Sequence, residues 1–117
     1  MHNFKELKVW KLSMELSKSI FETTRTFPSE HKFGLASQLF RCAVSIPSNI
    51  AEGCGRKSDK ELKQFVSTSL GSSFELETQI IIAKEVELIT LKQFETLNDK
   101  IIEIQKMLSG FSKSISI

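Results

Sequence analysis

The residues able to do covalent chemistry are few, and they stand far apart in the chain. Cys42 and Cys54 are the only cysteines, and their separation of twelve residues matches neither a CxxC redox pair nor a zinc-finger pair. The two histidines, His2 and His31, supply no completing ligand set. A cysteine nucleophile would need His31 as its base, and nothing local brings the two together. Two free thiols in a reducing compartment is the reading that follows. Helical carboxylate centres need Glu-x-x-His pairs. Glu22, Glu52, Glu75 and Glu103 are followed three residues later by Arg25, Gly55, Thr78 and Lys106. The stretch Gly53-Cys54-Gly55-Arg56-Lys57 faintly resembles a phosphate cradle, but it follows a helical pattern and not a strand. It reads as a helix stop and a turn. The chain is therefore expected to have no enzymatic activity, no metal and no cofactor.

Two groups of polar residues remain. Ser48, Asn49 and Glu52 lie within one helical turn, with Arg41, Glu75 and Glu77 as potential neighbours. They read either as a structural polar network around Pro47, pairing with Arg41 or Arg56, or as a ligand or subunit contact site. The second group is basic: Lys5, Lys8 and Lys11 recur on one side of the first segment, and Arg56, Lys57, Lys60 and Lys63 surround the start of the third. At a shared end of a bundle they would offer salt-dependent phosphate contacts, indifferent to sequence. Their plain alternative is a solvated surface.

Four periodic segments must position these groups. The first runs from Phe4 to Thr26, with Leu7, Trp10, Met14, Phe21 and Thr24 on one stripe and Val9, Leu12, Leu16 and Ile20 widening it. Phe27-Pro28 ends it. The second starts at Ser29 as N-cap and carries apolar residues from Phe33 to Ala51, ending at Gly53 and Gly55. Pro47 interrupts its hydrogen bonding, so a single helix kinked at Pro47 is expected, with Ser45 and Ser48 satisfying the freed carbonyl. Ser58 and Glu61 form a capping box for the third. Within it, Gly71-Ser72-Ser73 suggests a close helix contact, and Ile80-Ile81-Ile82 suggests burial against more than one partner. Thr90 and Gln93 cap the fourth, where Leu97, Ile101, Ile104, Leu108, Phe111 and Ile115 repeat at alternating steps of four and three. Short connections make sequential helices neighbours. The expected fold is all-α, an antiparallel up-down-up-down four-helix bundle, in one domain over 1–117.

The whole-chain arithmetic agrees. The 117 residues are 40% hydrophobic and 26% charged, as in a globular protein with a core of its own. The net charge is only +2, well below that of most nucleic-acid binders. Residues 1–63 hold eleven basic and seven acidic groups, a balance of +4, against −2 for the rest. No secretory signal and no membrane-spanning run is visible, so a cytoplasmic location is expected.

The run Ala43-Val44-Ser45-Ile46-Pro47-Ser48-Asn49-Ile50-Ala51-Glu52-Gly53, followed by Gly55-Arg56, is distinctive. With Leu7-Lys8-Val9-Trp10 and the stretch from Leu70 to Gln79, it resembles the four-helix-bundle family of rRNA intervening-sequence proteins over Phe4 to Ile115. That fold family includes the accessory variability determinant protein of diversity-generating retroelements. The resemblance implies a bacterial bundle assembling as a ring of five, a homopentamer. It also implies an association with structured RNA, or with a nucleic-acid enzyme such as a reverse transcriptase. No catalytic residue is carried over. Where relatives often have glycine between helices three and four, this chain has Glu87-Leu88. Two functions follow: an RNA-associated binding or scaffold protein, and a protein-interaction adaptor without nucleic-acid contact.

Overall fold

A computed structural model describes residues 3–116; His2, and the terminal residues of the single domain expected over 1–117, lie outside the described residues. Four helices make up the fold: α1 (Lys8–Thr24), α2 (Leu35–Cys54), α3 (Asp59–Glu85) and α4 (Leu91–Ser114). Short 3-10 turns precede α1 (Phe4–Glu6) and α2 (Ser29–His31), and the described residues contain no strand.

The first helix starts later than its apolar period suggests. The Asn3 side chain accepts from the Lys5 amide at 3.3 Å and caps the 3-10 turn. Leu7 is then extended, with φ −71° and ψ 126°, so helical geometry restarts at Lys8. The buried stripe keeps Val9, Leu16 and Ile20 of the expected one and adds two serines. It is Val9, Ser13, Leu16, Ser17 and Ile20, while Trp10 is half-buried and Phe21 exposed. Small serines let α1 approach its neighbours closely, and their hydroxyls are satisfied: Ser13 donates to the Trp10 carbonyl at 2.9 Å and Ser17 to that of Ser13 at 3.0 Å.

Ser29 does not cap α2. It opens the short 3-10 turn, and α2 begins at Leu35 after Gly34, with Phe33 left 89% exposed. From there α2 is one helix through Pro47 to Cys54. Pro47 has no N–H to give the Ala43 carbonyl. That buried oxygen instead shares the proton of Ser17 Oγ of α1, which lies 3.2 Å from it and 3.0 Å from the Ser13 carbonyl. The expected donors are employed elsewhere or turned away: Ser45 donates to the Cys42 carbonyl at 2.6 Å, and Ser48 is exposed. The donor came from another helix because the proline side of α2 faces α1.

Gly55, at the end of α2, has φ −86°, so it uses no conformation special to glycine. Gly53 is required for space. A Cβ there would stand 2.8 Å from Phe65 Cβ and 3.1 Å from Leu62 Cδ1. In α3, Ser58 Oγ accepts from the Glu61 amide at 3.2 Å, but Glu61 reaches back to the Ser58 hydroxyl and not to its backbone. Ser69 and Ser73 form the close contact, with Ser69 donating to the Ile46 carbonyl at 2.9 Å. Gly71 is exposed, and a Cβ there would meet nothing. Of the three isoleucines only Ile80 is buried; Ile81 and Ile82 face outward. In α4 the Thr90–Gln93 capping box closes in both directions, at 3.0 and 2.8 Å. Its buried seam is Leu97, Ile101, Ile104 and Leu108.

The turn between α3 and α4 holds the one non-glycine residue with positive φ among those described, Glu87 at 63°. The Leu88 amide returns to the Ala83 carbonyl at 2.8 Å, which closes a Schellman-type stop. A glutamate pays a steric cost in that region that glycine does not. Glu87→Gly is expected to stabilise the fold by roughly 0.5–1 kcal/mol. Thermal unfolding would register this as a rise of a few degrees.

Each helix packs on its two neighbours in the cycle α1–α2–α3–α4, and the diagonal pairs share no contact among the described residues. Along consecutive helices the contacts run in opposite senses. Ser17 meets Ala43 while Phe21 meets Phe40. Gly53 faces Leu62 while Cys42 faces Ser72. Lys84 lies over Phe94 while Glu77 meets Gln105. The core along this axis includes Leu16, Ala43, Ile46, Ile50, Val66, Leu76, Ile101 and Leu108, and the body measures 44 × 23 × 20 Å.

Candidate functional site

Helix α2 divides the surface. Its flank towards α1 is apolar and its flank towards α3 is polar, because Phe40, Val44, Pro47 and Ala51 recur on one side and Gln38, Cys42, Ser45 and Asn49 on the other.

On the apolar flank, Trp10, Met14 and Phe21 of α1 join those α2 residues in an open groove of about 650 Å³. Phe4 closes one end, its ring edge-on to Trp10 at 5.3 Å. The Phe21 and Phe40 rings meet at 5.3 Å, yet they remain 46% and 37% exposed. Lys18, Glu22 and Ser48 form the rim. An apolar groove this open has lost little water on folding, so it retains most of its drive to bind.

The polar flank forms a second cleft, of about 530 Å³, with Arg41, Thr68, Glu75 and Gln79 also in its walls. Cys42 Sγ lies 3.2 Å from the Ser72 carbonyl and 3.4 Å from Glu75 Oε1. Burial first, then the hydrogen bond to Glu75 and its charge, push this thiol from 9.0 up to about 12. Burial raises Cys54 as well. These are donors and packing groups, not thiolate nucleophiles. Because the folded value lies above the unfolded one, the Cys42 thiol contributes stability that is fully present below about pH 9. That contribution is lost as pH climbs towards about 12. Cys42→Ser is expected to flatten this alkaline decline in chemical-denaturation stability.

The expected polar cluster is therefore divided. Arg41, Asn49 and Glu75 line the polar cleft, and Ser48 stands on the rim of the apolar groove. Glu52 pairs with Arg56 at 2.9 Å, and Glu77 accepts from Gln105 at 2.9 Å. Asn49 does not serve the carbonyl freed by Pro47; it donates to the Ser45 carbonyl at 2.7 Å. Gln38, Gln79 and the polar character of this cleft had no signal in local spacing, because they depend on two helices meeting.

The basic residues share one end of the bundle, where Phe4 packs beside Ala51 and Gly53 abuts Leu62. Lys5, Lys8 and Lys11 belong to the α1 corner, and Lys57, Lys60 and Lys63 to the α3 corner. These corners are diagonal in the helix cycle, so the two groups stand on helices that do not adjoin. Arg56 bridges Glu52 and lies over the Phe65 ring at 4.8 Å. Each of the six lysines has no carboxylate of a described residue within bridging distance.

No three His, Cys, Asp or Glu residues among those described stand close enough to hold a metal ion. No helix among them is long and apolar enough to cross a membrane.

Comparison with known proteins places this architecture. A solved structure from Bacteroides thetaiotaomicron, described as a protein with unknown function from the S23 ribosomal protein family, superimposes with a TM-score of 0.85. The two are 27% identical over 91% of this chain and 96% of that one. The curated proteins give no match. The family model described as 23S rRNA-intervening sequence protein matches residues 5–110, and the chain belongs to that family.

Proposed function

We propose that this protein is a non-enzymatic, self-associating bundle that acts in the cytoplasm as a binding or scaffold protein for structured RNA. The observation that carries the RNA reading is the end of the bundle bearing Lys5, Lys8, Lys11, Lys57, Lys60 and Lys63, six ammonium groups without intramolecular carboxylate partners among the described residues. The family description, which concerns rRNA insertions, points the same way. Self-association rests on the apolar groove between α1 and α2, with a second copy as its occupant. Phe74 and Ile81 on α3, 52% and 39% exposed, provide an apolar face distinct from that groove. Contact between two different faces is heterologous and closes into a ring when the rotation permits. A ring of five is the state the resemblance implies. It would repeat the basic corners around one rim and unite what a single chain keeps apart.

Fluorescence anisotropy with a structured RNA at low and moderate salt tests the RNA reading. Binding should weaken steeply with salt, and Lys57→Glu, Lys60→Glu and Lys63→Glu together should lower the salt slope by about 3 or more. Absence of binding at low salt refutes the RNA role. The exposed groove would then favour the second reading, an adaptor for proteins.

A further inference from the structure

We propose that the polar cleft between α2 and α3 is a binding site for a donor-rich organic cation of the guanidinium or primary-ammonium type. Two hydroxyls on its walls already commit their protons to carbonyls. Ser45 spends its hydroxyl proton on the Cys42 carbonyl at 2.6 Å, and Thr68 spends its own on the Gln64 carbonyl at 3.1 Å. Asn49 directs its Nδ2 to the Ser45 carbonyl at 2.7 Å, which leaves Oδ1 as its free acceptor. What these residues offer the cleft is lone pairs. The Gln79 side chain lines the cleft, and its Oε1, shielded from solvent, has no hydrogen-bond partner, so a turn of the amide would present an unsatisfied acceptor to a ligand. A buried acceptor without a donor is costly, so a ligand N–H that reaches it gains more than it would from an acceptor in water.

Glu75 adds the charge. Its carboxylate takes the Cys42 thiol on one oxygen at 3.4 Å and retains further acceptor sites. A planar guanidinium brings five N–H donors in a fork, and an ammonium brings three, so either satisfies several of these acceptors at once. Neutral alcohols or anions do not: an anion would face this carboxylate, and an alcohol brings one proton per hydroxyl. Arg41 stands exposed on the cleft wall and sets a second requirement. The cationic head belongs at Glu75 and Gln79, and a carboxylate on the ligand's other end would be welcome at Arg41. The inference concerns a face separate from both the groove and the basic end, so it stands whether or not RNA binds.

The test is a titration followed by the side-chain amide signals of Asn49 and Gln79 in NMR spectra. Agmatine and L-arginine are the probes, with 1,5-pentanediol as a neutral control. Both cations should give saturable shifts and the diol none. Glu75→Gln should weaken binding about tenfold or more, since it removes a charge-assisted contact. Gln79→Met should weaken it several-fold. Glu103→Gln, an exposed carboxylate on α4, should leave affinity unchanged. Arg41→Gln should weaken L-arginine but not agmatine, which identifies the wall that reads the carboxylate. Circular dichroism of each variant checks that the bundle is retained. The proposal is overturned if no saturable shift appears in the millimolar range, or if Glu103→Gln weakens binding as much as Glu75→Gln does. The same guanidinium chemistry could come from an arginine of a second copy. In that case agmatine also lowers the oligomer mass in light scattering; with a free ligand the mass is unchanged.

Discussion

Replacing Phe21 and Phe40 together by glutamate is expected to reduce the proposed assembly to single 13.3 kDa chains while leaving the helix content intact. The two rings touch across the α1–α2 groove at 5.3 Å, and both are already partly open to solvent. In an isolated chain, two carboxylates at these positions would remain hydrated, so the cost to folding is small. In an assembly that covers the groove they would be buried without partners, at a cost of several kcal/mol per contact. That is more than a thousandfold in association constant at each interface. Light scattering reads the mass and circular dichroism reads the helix. An unchanged mass would show that copies meet through some other face. A wild type that is already monomeric at micromolar concentration would remove self-association altogether.

The largest expected effect on folding itself is at Gly53. Gly53→Val should destabilise the chain by about 3 kcal/mol, the upper part of the range for overpacked sites. The first added carbon would stand 2.8 Å from Phe65 Cβ, an atom fixed to the α3 backbone and unable to swing away. The end of α2 and the start of α3 would have to separate, which would expose Leu62 and Cys54 beside them. Gly71→Ala is the matching control. Its Cβ would meet no atom, and alanine is the better helix former, so that change should stabilise by up to about 1 kcal/mol. Urea denaturation of the two variants separates a steric requirement from a general intolerance of substituted glycines.

The contrast between those glycines shows how far the residue pattern could be read. Both sit in segments with a helical apolar period, and nothing local distinguishes them. Gly71, between small residues, looked like the point of close approach, but the helix turns it to solvent and presents Ser69 and Ser73 inward. The seam of α4 was legible because Leu97, Ile101, Ile104 and Leu108 repeat with one period over about three turns, and Thr90 with Gln93 marks its start locally. The stripe of α1 was legible in Val9, Leu16 and Ile20 but not in the rest, for a definite reason. Its widest apolar arc, with Trp10, Met14 and Phe21, is the one left in the groove. The core arc includes Ser13 and Ser17, whose polarity hides their burial. The polar cluster was legible only in part: Arg41, Asn49 and Glu75 share the cleft, while Ser48, Glu52 and Glu77 turn to three other surroundings.

Apolar periodicity, caps and the two prolines were enough to establish four helices and most of their limits, because these signals act within a turn or two of the chain; the family came from the resemblance of whole motifs. Tertiary structure alone decided which flank of each helix met a neighbour. It assigned Ser17 to the carbonyl that Pro47 abandons and placed Glu87 in the left-handed turn. It also set the basic residues on diagonal corners and brought α2 and α3 together around a polar cleft. The physical reason is that a helix offers every direction around its axis, and the choice among them is a property of the packed set of helices.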